Sequence, residues 1–171
     1  MIRTRTSFAA SLPVLLLGLA ANSALGEVPA VDTVIGTWSL VSVDNVFPDG
    51  HRVQLYGARP QGRLMFDVQG RYALQIMRGE PMRFAANDRL RGTPEENKAA
   101  VERSNTHFGR YETGKDGTLV FSIDHASFPN WEGTQQKRAF KLAADVLVYT
   151  VPVPTTGGAA IGEVTWQRAK P

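Results

Sequence analysis

Between Ile35 and Arg168 the chain falls into short runs rich in Val, Phe, Tyr, Thr and Trp, each closed by turn residues. This rhythm constrains the fold more than any other feature of the sequence. Asp49-Gly50 follows Pro48, Gln69-Gly70 joins Leu64-Met65-Phe66-Asp67-Val68 to Arg71-Tyr72-Ala73-Leu74-Gln75-Ile76, and Lys115-Asp116-Gly117 precedes Leu119-Val120-Phe121-Ser122-Ile123. Each turn places a glycine where a tight hairpin needs positive φ. Further runs follow Ala144-Asp145 and Thr155-Thr156-Gly157-Gly158. The pattern predicts an all-β antiparallel sandwich or barrel of roughly eight to ten strands. One segment departs from it: Thr93 as N-cap, Pro94 at the first helical position and Glu96 closing a capping box predict a short external helix running to about Ser104.

Ahead of this domain the order is positive charge (Arg3, Arg5), an apolar run from Phe8 to Ala21, then small residues at Ala24 and Gly26, with no acidic residue before Glu27. That order predicts a signal peptide over residues 1–26. Its apolar run of about 14 residues is short of the roughly 20 that a membrane span needs. A short N-terminal segment, 27–33, then leads into a domain at 34–171. The chain has no cysteine, so neither a lipobox nor a disulfide framework can form. Removing the leader takes away two of 19 basic residues and none of 16 acidic ones, leaving 17 against 16, a net charge of +1. Such near neutrality gives no reason to expect nucleic acid as a partner. The expected product is exported, periplasmic or secreted, with no integral span after cleavage.

Period-2 alternation assigns faces. In 136–142, Lys137 and Lys141 mark the wet side, which turns Arg138 inward with Phe140 and Leu142. A guanidinium on an apolar face is costly unless compensated. It suits a carboxylate or other oxyanion gripped at two points, but an internal Asp or Glu, or carbonyls of the Asn130-Trp131 loop, would serve equally. The same count groups Leu64, Phe66 and Val68; Tyr72, Leu74 and Ile76; Leu119, Phe121, Ile123 and His125; and Val164, Trp166 and Arg168. Tyr72, Tyr111 and Tyr149 fit a pocket lining with an apolar body and a polar tip, and also fit ordinary strand positions. Trp131, in Phe128-Pro129-Asn130-Trp131, either packs on a ligand at the rim or plugs one end.

Four stretches carry a family likeness: Ile35-Gly36-Thr37-Trp38-Ser39-Leu40-Val41-Ser42; Tyr56-Gly57-Ala58-Arg59-Pro60-Gln61-Gly62-Arg63-Leu64-Met65-Phe66; Ser127-Phe128-Pro129-Asn130-Trp131-Glu132-Gly133-Thr134-Gln135-Gln136-Lys137-Arg138; and Leu147 to Arg168, ending Thr165-Trp166-Gln167-Arg168. Together they resemble the bacterial and fungal lipocalin-like domain family across nearly the whole domain. The resemblance implies a calyx-like antiparallel barrel suited to a small hydrophobic molecule. It implies structural roles for Gly36 and Trp38, the tryptophan closing the barrel base with Arg168 stacked over it. It also implies a histidine near the place of Phe121 and Ser122. Here His125 lies a few residues on, so no histidine chemistry is carried over.

His51, His107 and His125 show no His-x-x-x-His spacing, so neither a metal nor another cofactor is expected. Asp124 and His125 are strand neighbours facing opposite ways and cannot act as a pair. No nucleophile elbow, phosphate loop or dinucleotide fingerprint is present. Three readings follow. The first is an exported barrel binding a small hydrophobic molecule with an anionic or hydrogen-bonding group, through Arg138, Tyr72, Tyr111, His125, Tyr149 and Trp131. The second is a barrel enzyme isomerising or cyclising a small apolar substrate, although no catalytic motif supports it. The third is a structural or interaction barrel with a filled interior.

Overall fold

A strand that shows one face to water and one to a core must find a partner at each edge, and an eight-strand sheet can meet this by closing on itself. The computed structural model describes residues 33–155 and 158–170. The signal peptide expected over 1–26 and the following 27–32 lie outside the described residues. The strands are β1 (Gly36–Val46), β2 (Arg52–Gln54), β3 (Gln61–Phe66), β4 (Arg71–Met77), β5 (Ser104–Thr113), β6 (Thr118–Ala126), β7 (Gln135–Ala143), β8 (Val146–Val151) and β9 (Ile161–Arg168). All pair antiparallel in the order β2-β1-β3-β4-β5-β6-β7-β8-β9, and β1 also pairs with β9. β1 and β3 to β9 therefore form a closed up-and-down barrel, one of the two architectures that the turn rhythm allows. β2 is an extra strand on the later half of β1, where Arg52 bridges Asp44 at 2.9 Å and Glu163 at 2.5 Å.

The glycine turns fall where expected. Gly70 (φ +78°) and Gly117 (φ +76°) close the β3–β4 and β5–β6 hairpins. Asp67 Oδ1 fixes the first by accepting from the Gln69 and Arg71 amides at 2.9 and 2.8 Å. The hairpins β3–β4, β5–β6 and β7–β8 gather at one end of the barrel with the start of β1 and the end of β9. There the Arg168 guanidinium lies 4.2 Å over the Trp38 ring. Its fork donates to the carbonyls of Ile35 and Thr33, both at 2.9 Å, and Nε meets Asp145 at 3.2 Å. The Trp38 indole N–H donates to Val34 O at 2.8 Å. Gly36 (φ +126°) makes room, since a Cβ there would sit 3.2 Å from Arg168 Nη1.

The opposite end carries the longer connections. Helix α1 (Pro94–Glu102) lies between β4 and β5 with the predicted capping box: Glu96 N donates to Thr93 Oγ1, and the Glu96 carboxylate accepts from Thr93 N. No residue of α1 is buried, in keeping with its polar composition. Arg103, just beyond it, donates to the carbonyls of Arg78 and Glu80 and ties the segment back to the barrel. A 3-10 turn, Pro129–Trp131, sits between β6 and β7.

The interior is made of the alternating residues expected: Leu64 and Phe66, Tyr72, Leu74 and Ile76, Leu119, Phe121 and Ile123, Leu147 and Tyr149, and Val164 and Trp166 are all buried. Two members of the predicted faces depart. Val68 falls in the β3–β4 turn and is exposed. His125 is on the outer face, because the β5–β6 register shifts between Phe108↔His125 and Gly109↔Ile123. Asp124 is the extra residue of this bulge, and one inserted residue reverses the facing of all that follow on the strand. Gly109 permits it: a Cβ there would lie 2.1 Å from Ser122 O.

Candidate ligand-binding site

β7 differs from its neighbours. Its inward residues Gln136, Arg138, Phe140 and Leu142 are only partly buried, whereas those of β4 and β6 are closed off. The inward side of β7 is thus less closely covered than the rest of the barrel interior. Lys137 and Lys141 face solvent, and Arg138 faces inward, as alternation demands. Its fork donates to Gln136 Oε1 and, at 3.1 Å, to Lys137 O. No carboxylate among the described residues lies within ion-pair distance of it. Burial pulls its pKa below the usual arginine value, opposed by the Tyr149 and Tyr72 phenols. A guanidinium stays charged under such a pull and has five N–H donors, most of them still available.

Two strands away, on β5, stands a histidine whose facing alternation reveals. In β5, Arg110 and Glu112 mark the wet side, which places Asn105, His107, Gly109 and Tyr111 inward; exposed Phe108 obscures the pattern. His107 is only 6% exposed. Its Nδ1 is 2.7 Å from the Tyr72 hydroxyl. The edges of Phe121 and Trp131 complete its surroundings, with centroids at 5.7 and 5.8 Å. Burial first, and the Arg138 charge second, push its pKa down to about 4, so the imidazole is neutral at pH 7.

Burial also raises the Tyr72 phenol, and it pushes Tyr149 up to about 12 against the pull of Arg138 and the Trp166 indole N–H. Both are neutral donors at ordinary pH. The Trp166 N–H is shut off from solvent without a hydrogen bond of normal length, so its effect on Tyr149 is that of a nearby dipole. The His107 Nε2 has no hydrogen-bond partner among the described residues, and the Tyr149 hydroxyl, buried with its ring, meets only the Trp166 indole N–H. Guanidinium and imidazole therefore keep hydrogen-bonding capacity that no described residue uses.

A neutral buried histidine makes stability depend on acidity. An unfolded histidine titrates near 6.5, and His107 resists the proton until about 4. Between these values the unfolded state binds a proton that the folded state refuses, so stability falls as pH drops from about 6.5 to about 4, by on the order of 3 kcal/mol. Urea midpoints at about pH 7 and about pH 4.5 should fall further apart in the native protein than in His107→Gln, with a difference on the order of 2 kcal/mol. Equal losses would contradict a buried neutral imidazole.

Of the residues singled out from sequence, Arg138, Tyr72 and Tyr149 share this interior. Trp131 lies half-buried at its edge against His107 and Phe128. Tyr111 does not join them: its ring packs on Phe66 at 4.5 Å, and its hydroxyl donates to Asp67 O at 2.9 Å, serving the β3–β4 hairpin. His125, turned outward by the bulge, sits 5.6 Å from the Phe108 ring and 3.3 Å from Glu132 on the surface. Gly36, Trp38 and Arg168 belong to the hairpin end. A surface depression of about 310 Å³ also opens on the outside of β3 to β5, where exposed Met65 and Phe108 flank Ala73. No group of three or more His, Cys, Asp or Glu among the described residues could hold a metal ion.

The fold and the family comparison agree. The lipocalin-like domain family model matches residues 35–169, nearly the whole of the barrel, and the chain belongs to that family. No curated protein matches it. A barrel of this kind suits the holding of small molecules in general, and no helix among the described residues is long and apolar enough to cross a membrane.

Proposed function

We propose that this protein is an exported carrier or scavenger whose barrel holds a small hydrophobic molecule by an anionic or hydrogen-bonding group on Arg138. The observation that carries the reading is the guanidinium itself. It faces an apolar interior with no carboxylate within reach among the described residues, and the residues beside it on β7 are partly accessible rather than packed shut. Burying a charge without a counter-charge costs several kcal/mol, and a bound anion would offset that cost while using donors left open. Tyr149 supplies a further donor, and Phe121, Phe140 and Leu142 supply apolar wall. Export rests on the charge and hydropathy order of residues 1–26.

The test is displacement of a fluorescent fatty acid from the purified protein by dodecanoate and by dodecanol, alongside native mass spectrometry of protein taken from its source envelope. Dodecanoate should compete at least about tenfold better, the difference that one charge-assisted hydrogen bond makes. A clean ligand-free mass together with no displacement by either compound would favour the filled, purely structural barrel instead.

A further inference from the structure

Alternation gives the outer face of β3 to β5 mostly to polar residues, yet one row in its middle is apolar. Met65 pairs with Ala73 across β3 and β4, and Ala73 with Phe108 across β4 and β5, so the three stand side by side on the outside of the barrel. Met65 is 47% exposed and Phe108 50%. Apolar residues scattered singly over a surface need no explanation, but a contiguous set around a depression marks a place of contact. We infer that this depression is a second ligand site, separate from the barrel interior, which takes a single-chain anionic amphiphile with its tail on Ala73 and its head group on Arg63.

The depression has a volume of about 310 Å³, at the lower edge of the range for small-molecule sites. Strands in a sheet lie about 4.8 Å apart, so Met65 and Phe108 stand about 10 Å from each other with only the Ala73 methyl between them. Once their side chains are counted, the slot over Ala73 has room for one alkyl chain. In the next outward row, toward the end that carries the longer connections, Arg63, Gln75 and Thr106 are aligned by the same register and line the depression. Toward the hairpin end a second depression, of about 200 Å³, shares Met65 and Ala73 and reaches Arg71 and Asp67. The stretch of β4 from Gln75 to Arg71 is about 13 Å long, enough for an extended eight-carbon chain.

Charge sets the orientation of the ligand. Arg63 is exposed, gives one donor to Gly62 O at 3.0 Å, and has no carboxylate within ion-pair distance among the described residues. Arg71, at the far end, is already held by Asp67 at 2.7 Å. A guanidinium with most of its fork free, beside the Gln75 amide and the Thr106 hydroxyl, suits a phosphate or carboxylate, and the paired end does not. The bulge in β6 also serves this face. By turning His125 outward opposite Phe108, with ring centroids 5.6 Å apart, it supports the Phe108 ring as one wall of the slot. The site uses none of Arg138, Tyr149 or His107 as a ligand contact, so it stands independently of the interior reading.

The probe is octyl phosphate, kept at concentrations where it is monomeric and followed through the backbone amide shifts of the isotope-labelled protein. The amides of Met65, Ala73, Thr106 and Phe108 should move together and saturate. Ala73→Phe fills the slot from outside the core, and Arg63→Gln removes the charge. Each should weaken this binding at least about tenfold, while Arg63→Gln should change the binding of octanol little. Arg138→Met should leave the shifts on this face as they are. Thermal melts check that the variants fold, and the exposed Arg63→Gln carries the test if Ala73→Phe does not. Sedimentation with phosphatidylglycerol vesicles separates a free amphiphile from one in a bilayer: the protein should stay in the supernatant, and pelleting without any response to octyl phosphate overturns the inference. Outer-face amides that stay still while those of β7 move overturn it and leave the interior reading standing. Shifts that survive both Ala73→Phe and Arg63→Gln, or that vanish in Arg138→Met, overturn a separate site. Movement in neither place overturns it too, and displacement of the fluorescent fatty acid then decides the interior reading by itself.

Discussion

Truncating Trp38 to alanine is expected to lower stability by about 3–5 kcal/mol, the range for deleting a large buried aromatic ring. Trp38 has no exposed surface. Its indole N–H holds the carbonyl of Val34, and its face carries the Arg168 guanidinium, which in turn gathers Ile35, Thr33 and Asp145. Removing the ring therefore opens a cavity and also takes away the platform on which the two chain ends of the barrel meet. In urea, with a slope of about 2 kcal/mol per molar, the midpoint should fall by roughly 2 M. Trp38→Phe should keep part of the packing and lose the hydrogen bond, and so fall between the two. A loss below about 1 kcal/mol in Trp38→Ala would mean that the hairpin end repacks freely.

What could be read from the chain alone follows from which interactions are local. The hairpins at Gln69-Gly70 and Lys115-Asp116-Gly117 are set by residues within four positions of one another, and the capping box at Thr93 and Glu96 spans three; these are as expected. The inward facing of Arg138 is legible for the same reason, because Lys137 and Lys141 flank it on one strand. His125 was not legible. Its facing depends on a bulge permitted by Gly109 on the neighbouring strand, and no count along β6 contains that information. Tyr111 shows a different gap: it is inward as alternation suggests, but the oxygen it seeks belongs to Asp67, 44 positions away. The inward facing of His107 is carried by Arg110 and Glu112 on the wet side of β5, against the contrary signal of the exposed Phe108.

Replacing Arg138 by methionine is expected to raise stability and abolish function together. Methionine fills a similar stem volume and removes a buried charge that has no carboxylate partner among the described residues; such exchanges are neutral or stabilising by about 1–4 kcal/mol. Dodecanoate should then bind more weakly by about 30-fold to about 5,000-fold, the equivalent of the roughly 2–5 kcal/mol lost when one side of a buried charge pair is removed. Dodecanol, with no charge to meet, should change by much less. Arg138→Lys keeps the charge but not the planar fork, so it should recover only part of the dodecanoate affinity. The two signs together separate the explanations of this residue. A guanidinium serving the fold through Gln136 and Lys137 O would leave those acceptors unsatisfied when removed, and the variant would be less stable. A guanidinium kept for a ligand costs the empty barrel stability, and its removal yields a sturdier protein that no longer holds an anion.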